Sequence, residues 1–168
     1  ERDHVEGMVV GEDVRTTLVQ RDESRPTGTA RVRTTGGEAG FVFNEGSAWT
    51  APRWTPAWEE IVAGAHVLCF GTLLTAHPAG RVAVQRAAAA AAARGAIRLL
   101  DLNLRPPFDT TETIDAALAC ASVVKLSEEE AAELSRRFEV ADAVGWLLRE
   151  RGVDTVAVTR GARGSALY

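Results

Sequence analysis

Residues 97–126 read IRLLDLNLRPPFDTTETIDAALACASVVKL, and this stretch decides the fold. Two apolar runs of strand length, Ile97–Leu102 and Ser122–Leu126, enclose a helical segment. The apolar residues of that segment follow the i, i+3, i+4, i+7 spacing of one helix face: Ile114, Ala117, Leu118 and Ala121. A strand, a helix and a second strand in this order predict parallel strands joined by a right-handed crossover.

The same alternation continues on both sides of this unit. Apolar runs recur at His66–Phe70 and Val153–Val158, and they are nearly continuous, as expected for parallel strands that are covered on both faces. Pro78 and the alanine run Ala87–Ala93 predict one further helix. Helical spacing predicts another through Val140, Val144, Leu147 and Leu148. The sequence therefore predicts a doubly wound α/β sheet over residues 55–168.

Residues 1–54 follow a different pattern. Short runs at Arg15–Gln20, Thr27–Thr34 and Gly40–Asn44 are separated by turn residues, so we predict a small antiparallel meander. Such a meander is too thin to hold a core of its own, and we expect it to lie over the α/β part. Three tryptophans lie at the junction: Trp49, Trp54 and Trp58. We predict that they pack the meander on the α/β part rather than stack a base, although Trp49 could also line the mouth of a site.

Composition excludes several classes of protein. Among the 168 residues 46% are hydrophobic and 25% are charged, which excludes wholesale disorder. No apolar run approaches the roughly 20 residues of a membrane-spanning helix, and no signal peptide is recognisable, so we expect a cytoplasmic protein. A net charge of −4 without a basic cluster argues against nucleic acid as the main partner. Cys69 and Cys120 lie in apolar runs and are predicted to be buried, reduced thiols.

Polar residues follow each predicted strand. In an open parallel sheet, ligands bind outside the carboxyl ends of the strands. Asp101-Leu-Asn103-Leu-Arg105 follows one strand, and Lys125 closes the next, just before Ser127-Glu-Glu-Glu130. The last strand leads into the glycine-rich segment 159–164, which reads TRGARG. This convergence predicts a ligand site at the carboxyl edge of the sheet.

The Asp101–Arg105 segment has two interpretations. Strand alternation would put Asp101, Asn103 and Arg105 on one side, where an amide suits sugar hydroxyls and a guanidinium suits phosphate. Alternatively, Asp101 caps backbone groups and Pro106-Pro107 simply breaks the strand.

Two interpretations also apply to the next two segments. Ser127-x-x-Glu130 before an apolar stripe is a capping box, yet Glu130 could also order the water shell of Mg²⁺ beside nucleotide phosphates. These roles are compatible, because a capped helix start can face a phosphate. The glycines of segment 159–164 could let backbone amides cradle an anion, or the segment could be a plain hairpin turn.

Taken together, these strings resemble one family. VVKLSEEE at 123–130, DLNLRPP at 101–107 and VTRGARG at 158–164 are similar to motifs of the ribokinase-like (PfkB) carbohydrate kinases. The likeness is to the fructokinase and 2-keto-3-deoxygluconate kinase branch. RPTGTA at 25–30 and FVFNEGSA at 41–48 resemble the β-lid strands of that family.

The resemblance implies a ribokinase-like doubly wound parallel sheet core with a small antiparallel β-lid. It implies that residues 1–54 are the β-lid with its connections and that residues 55–168 are part of the nucleotide- and sugar-binding core. ATP with Mg²⁺ would donate its γ-phosphoryl group to a sugar hydroxyl, and two copies could pair through the lid.

The same resemblance assigns the site residues. The sugar-binding residues would be Asn103, Arg105, Thr29, Phe43 and Asn44. The nucleotide-binding residues would be Lys125, Thr159, Gly161 and Gly164. Glu130 would meet the metal through water.

The chain also departs from the family pattern. Ser127 replaces the asparagine of the Asn-x-x-Glu motif, and the Gly-Ala-Gly-Asp box, which carries the general base, is absent. The Gly-Gly-x-x-x-Asn sugar motif is absent too, and the chain runs from Glu1 to Tyr168 without an initiating methionine. We therefore expect a fragment that lacks both ends of the kinase and has negligible activity. The alternatives are a non-catalytic α/β module that binds a nucleotide or sugar phosphate, and a nucleoside kinase of the same fold.

Overall fold

The computed structural model describes residues 16–35 and 38–168. Strands β1 (Ala30–Thr35) and β2 (Glu38–Phe43) form a two-stranded antiparallel sheet in which Ala30 lies opposite Phe43. These are the second and third strands predicted for the meander, with ends shifted by one to three residues. We call this hairpin the lid.

The first predicted meander strand, Arg15–Gln20, begins one residue before the described part and is not a strand within it. The Gln20 side chain accepts a hydrogen bond from the Arg53 N–H at 2.8 Å. The Leu18 carbonyl accepts one from the Trp58 indole at 3.1 Å. The segment is therefore tied to residues 53–58 by side-chain hydrogen bonds instead of pairing with a lid strand.

The second, larger sheet contains five strands, and the helices alternate with its first four. Its strands are β3 (Val67–Gly71), β4 (Ile97–Asp101), β5 (Val123–Ser127), β6 (Thr155–Thr159) and β7 (Ser165–Leu167). The helices are α1 (Pro56–Ala63), α2 (Thr72–Thr75), α3 (Pro78–Ala92), α4 (Thr111–Leu118), α5 (Glu128–Arg137) and α6 (Ala143–Glu150). The strand order is β3-β4-β5-β6-β7, with β3 to β6 parallel and β7 antiparallel to β6. The predicted α/β class, with a parallel-dominated sheet and a separate small antiparallel sheet, is confirmed.

Local chemistry explains where the helices begin. Pro78 opens α3 and lacks the N–H that a first-turn residue would leave unpaired. The Thr110 hydroxyl accepts the Thr113 N–H at the start of α4, and the predicted capping box opens α5 at Ser127. Within the described part of the chain, no helix is both long and apolar enough to cross a bilayer.

One face of the larger sheet carries the core. Leu100, Val124 and Val156 point to this face and are fully buried against side chains of α4, α5 and α6. The opposite face is open, since Val67 and Ile97 remain about half exposed, at 50% and 48%.

The prediction that the strands are covered on both faces is therefore wrong for the described residues. Sequential parallel strands joined by crossovers of one hand carry their helices on one side. For the same reason Cys69, predicted to be buried, is exposed on the open face, whereas Cys120 is half-buried.

Candidate functional site

The carboxyl ends of β4 and β5 carry an ion pair. Asp101 and Lys125 are cross-strand neighbours, and Lys125 Nζ lies 3.0 Å from Asp101 Oδ1. Asp101 therefore pairs with a side chain, where the alternative interpretation had it capping backbone groups. The neighbours of the pair in the same row of the sheet are Gly71 and Ala157, whose small size leaves the pair accessible from the open face.

After Asp101 the chain leaves the sheet in a strained turn. Leu102 is fully buried, and Asn103 is exposed with a left-handed φ of 41°. This turn breaks strand alternation, so the prediction that alternation puts Asp101, Asn103 and Arg105 on one side is wrong. The Arg105 guanidinium instead folds back to donate to the Leu104 carbonyl at 2.9 Å.

The first turn of α5 holds this turn in place. Glu130 Oε1 accepts the Leu104 N–H at 2.8 Å, and its Oε2 accepts the Ser127 N–H at 2.8 Å. Ser127 Oγ accepts the Glu130 N–H at 3.2 Å, which completes the predicted capping box. Glu130 therefore links two segments that sequence reasoning considered separately.

The same helix turn also holds the glycine-rich segment. Arg163 forms an ion pair with Glu128, and Arg160 Nε lies 3.3 Å from Glu128 Oε1. Residues 160–164 join the antiparallel strands β6 and β7, so the segment is a hairpin turn, and β7 is a strand that the sequence did not predict. Gly161 and Gly164 have φ values of 57° and 86°, which only glycine adopts easily, and open space lies beside both.

Of the other predicted nucleotide residues, Thr159 lies opposite Ser127 across β5 and β6. The predicted nucleotide residues Thr159, Gly161 and Gly164 thus adjoin the start of α5. Lys125 lies two residues before Ser127 in β5, beside Asp101.

Residues 102–110, which we call the β4–α4 loop, are fixed at their far end as well. Arg137 at the end of α5 donates to the Asp109 carboxylate at 3.0 Å and also to the Asp109 carbonyl. Both side chains are largely buried, at 19% and 6% exposure. At the near end, the Thr72 hydroxyl donates to the Leu102 carbonyl at 2.7 Å. The loop that carries Asn103 and Arg105 is therefore a fixed part of the fold.

An aromatic cluster joins the lid to this loop, and we define it as Phe43, Trp49, His77 and Phe108. Ring centroids are 6.4 Å apart for Phe43 and Phe108, 4.8 Å for Trp49 and His77, and 5.6 Å for His77 and Phe108. These distances allow edge-to-face and tilted packing. Trp49 packs the lid to the core as predicted.

Sequence reasoning missed Phe108 and His77. The only local signal for either was a neighbouring proline, at positions 107 and 78. His77 Nε2 is buried without a hydrogen-bond partner among the described residues. Burial lowers the pKa of His77 below its ordinary 6.5, against a smaller opposing effect of the Glu45 charge.

The remaining predicted sugar residues lie at the base of the lid. Asn44 Oδ1 accepts both the Thr29 N–H at 2.7 Å and the Thr29 hydroxyl at 3.2 Å. Arg105 reaches the lid from the other side, with its guanidinium carbon 5.3 Å from the centre of the Phe41 ring. Arg105 thus contacts Phe41 of the lid, and the neighbouring lid residue Phe43 contacts Phe108 of the β4–α4 loop.

The side chains at this edge of the sheet determine whether the predicted Mg²⁺ could be held there. The described residues hold no group of three or more histidine, cysteine or acidic side chains that could cage a metal ion. Glu130 uses each carboxylate oxygen once, and each retains a lone pair for a water molecule. That arrangement fits an ion that keeps most of its own waters, as Mg²⁺ does.

One cavity among the described residues lies away from this edge of the sheet. It has a volume of about 550 Å³ and is lined by residues from 19–28 and 48–58, including Trp49 and Trp58. None of the predicted sugar, nucleotide or metal residues lines it. The chemistry of the strand ends, rather than cavity size, therefore identifies the candidate site.

A parallel-dominated sheet with charged loops at its carboxyl edge and a small lid packed on one of those loops defines an α/β protein, and proteins of this class typically bind ligands at that edge. Residues 3–168 match the model of the pfkB family carbohydrate kinases, so the chain belongs to that family. No curated protein matches the sequence.

Solved structures give the same fold. A fructokinase with bound ATP from Xylella fastidiosa is 24% identical, with a TM-score of 0.84 over 99% of this chain and 53% of its own. A fructokinase from Halothermothrix orenii is 19% identical, with a TM-score of 0.81 over 99% and 60%. An adenosine kinase from Trypanosoma brucei brucei is 16% identical, with a TM-score of 0.71 over 89% and 49%. The chain thus has the ribokinase-like fold and spans about half the length of these proteins.

Proposed function

We propose that the chain is part of an ATP-dependent sugar kinase that transfers the γ-phosphoryl group of ATP to a hydroxyl of a small sugar or sugar acid. One observation supports this proposal above the others. The first turn of α5 is bonded through Glu130 to the turn at Asn103–Arg105 and through Glu128 to the hairpin 160–164. The groups proposed for sugar and for nucleotide therefore converge on one helix start, next to the lid.

In this proposal the sugar lies between the lid and the β4–α4 loop. Asn103 offers an exposed amide to sugar hydroxyls, and Arg105 offers a cation to the transferred phosphate. Phe43, Thr29 and Asn44 line the lid side. A lid that closes over the sugar excludes water, which would otherwise compete as the acceptor.

The nucleotide lies along the ends of β5 and β6. Lys125 supplies positive charge, and Thr159, Gly161 and Gly164 supply a backbone that a phosphate can approach closely. Glu130 meets Mg²⁺ through water. ATP supplies the phosphoryl group and Mg²⁺ offsets its charge, so the protein needs chiefly to bind and orient.

The chain is expected to bind the nucleotide without turning it over, because its sequence lacks the Gly-Ala-Gly-Asp box. A general base and an anion hole each contribute about 100-fold or more to rate. We expect calorimetry with Mg·ATP to detect binding, and Lys125→Met to weaken it about tenfold by removing a cation beside the phosphates.

Arg94→Met is the matched control, since it removes one exposed cation just before β4, at the opposite edge of the sheet. Equal losses in the two variants, or no binding by the folded chain, would contradict the nucleotide site. Phosphorylation of any sugar by the purified chain would contradict the expected inactivity.

A nucleoside kinase is the second candidate, and the likeness to an adenosine kinase favours it. The rings of Phe43 and Phe108 at the lid could also stack on a base. Adenosine and fructose distinguish the two functions, because only the true acceptor should stimulate ATP turnover in the full-length protein. Nucleotide binding without turnover for any acceptor would instead favour the non-catalytic module.

Pairing of two copies through the lid remains part of the proposal. Val32 and Phe41 are cross-strand partners on one face of the lid and both are exposed, which leaves an apolar surface on a hairpin whose edges are unpaired among the described residues. Light scattering of the purified chain tests this, and Val32→Lys should shift a dimer toward monomer.

A further inference from the structure

We propose that Glu130 is a positioning residue that fixes the Asn103–Arg105 turn to the start of α5 and thereby aims Arg105 at the lid. The part assigned to Arg105 rests on the proposed function. The attachment itself rests on the hydrogen bonds of one carboxylate.

The two carboxylate oxygens of Glu130 accept hydrogen bonds from two different segments of the chain. A capping box requires only one acceptor from its glutamate, and here Oε2 fills that role with the Ser127 N–H. Oε1 accepts the N–H of Leu104, which is 26 residues away in the chain and follows a different strand. Both bonds are 2.8 Å, in the range of charge-assisted hydrogen bonds.

The backbone segment that Glu130 holds contains the left-handed turn at Asn103. Asn103 has a φ of 41°, in the left-handed region that L-residues other than glycine adopt at a cost. Such conformations persist when the surrounding structure determines them. Leu102 on one side is anchored by burial and by Thr72, and Leu104 on the other side is anchored by Glu130.

The Leu104 backbone and the Arg105 side chain connect this turn to the lid. The Leu104 peptide is held at both ends, since its N–H donates to Glu130 and its carbonyl accepts from the Arg105 guanidinium. The same guanidinium packs over the Phe41 ring of the lid. Loss of Glu130 would free the backbone that orients Arg105, although among the described residues Glu130 forms no hydrogen bond with the Arg105 side chain or with the lid.

A substitution at Ser127 distinguishes the capping of α5 from the positioning of the Asn103–Arg105 turn. Ser127→Ala removes the hydroxyl that caps α5 but leaves the Leu104 N–H bonded to Glu130. Glu130→Ala removes both functions. Glu129→Gln is the control for charge, because it neutralises an exposed carboxylate in the same helix turn.

Amide hydrogen exchange measured by NMR on the 168-residue chain tests the attachment. We expect Glu130→Ala to speed exchange at Leu104 about tenfold or more and to move the Arg105 resonances. Ser127→Ala and Glu129→Gln should leave Leu104 protected. If the Leu104 amide exchanges as slowly in Glu130→Ala as in the wild type, the proposal is overturned.

Should Glu130→Ala fail to fold, Glu130→Gln keeps the size of the side chain and one acceptor oxygen. Its amide nitrogen then faces one of the two N–H groups, so protection should fall at Leu104 or at Ser127. Unchanged protection at both positions would equally overturn the proposal.

A binding measurement without metal separates the attachment from the proposed function. Fructose 6-phosphate, as a probe of the sugar phosphate class, is titrated in the presence of EDTA so that no Mg²⁺ effect of Glu130 intervenes. We expect Glu130→Ala and Arg105→Met to weaken binding by a similar factor of about ten. Binding that Arg105→Met weakens and Glu130→Ala does not would overturn the positioning role. A third outcome separates the two proposals. If Leu104 exchanges slowly in the wild type and quickly in Glu130→Ala, but the wild type binds no sugar phosphate, the attachment is supported and the kinase proposal is contradicted.

Discussion

His77 belongs to the aromatic cluster through which the lid residue Phe43 packs on the core. Its ring packs against Trp49 and Phe108, while its Nε2 is buried without a hydrogen-bond partner in the described structure. A protonated imidazole would place a charge in this aromatic cluster, so burial lowers the pKa of His77. The folded structure therefore favours the neutral form of the His77 imidazole.

This predicts that acidification weakens the fold. Below the ordinary pKa of 6.5 the unfolded chain takes up a proton that the folded chain does not, so the free energy of unfolding falls as the pH falls. Urea unfolding measured above and below pH 6.5 should show this loss in the wild type and a smaller one in His77→Phe, which keeps an aromatic ring. The other histidines are common to both proteins and cancel. Parallel pH curves for the two proteins would contradict the prediction.

Among the elements, α5 connects more of the candidate site than any strand does. Its first turn bonds the β4–α4 loop and the β6–β7 hairpin through Glu130 and Glu128. Its last turn bonds the far end of the β4–α4 loop through Arg137 and Asp109. Helix and loop should therefore lose stability together.

Arg137→Met tests this connection. The substitution leaves the Asp109 carboxylate buried without its partner, and we expect a loss of roughly 3 kcal/mol in the free energy of unfolding. Arg137 also pairs with Glu133. Arg136→Met is the matched control, because Arg136 shares that partner but is 70% exposed, and its loss should change stability little. Urea titrations of the two variants measure the difference. Similar midpoints would show that the bond to Asp109 does not stabilise the fold.

The elements also show how far sequence reasoning reached. The strands β3 to β6 and the helices α3 to α6 were predicted because apolar spacing reflects burial in a core, and the capping box was predicted because its chemistry is local. The turn at Asn103 was not, because the Leu104 N–H that follows it donates to Glu130, 26 residues further along the chain. Strand β7 and the turn at residues 16–20 were missed or mistaken for similar reasons, since tertiary hydrogen bonds decide them.

The candidate site divides in the same way. Order along the chain was enough to predict that polar residues meet at the carboxyl edge of the sheet. It could not predict that Lys125 pairs with Asp101, that Phe108 contacts the lid, or that His77 packs on Phe108. Those contacts arise only when separate strands and loops come together.

At the scale of the whole molecule, the larger sheet has one covered face and one face that is open among the described residues. The covered face holds the core, while the open face exposes Val67, Cys69 and Ile97 on neighbouring strands. An exposed apolar area of this kind favours contact with other molecules over contact with water. It also makes the two cysteines chemically different.

Thiol labelling should therefore proceed in two phases. Cys69 is exposed and should react quickly, whereas Cys120 is half-buried and burial raises the pKa of its thiol, so it should react at least about tenfold more slowly. A chromogenic disulfide reagent measures both rates, Cys69→Ala should remove the fast phase, and denaturant should make both thiols react fast. A single rate in the native protein would contradict the exposure of the open face.

The ion pair at the strand ends has a practical consequence. Lys125 is the only lysine in the chain, so apart from the α-amino group its side chain is the only primary amine. It lies beside Asp101 at the edge where the candidate site is built. Acylation of this one amine, followed by mass spectrometry of the intact chain, gives a footprint of whatever occupies that edge, without any engineered label.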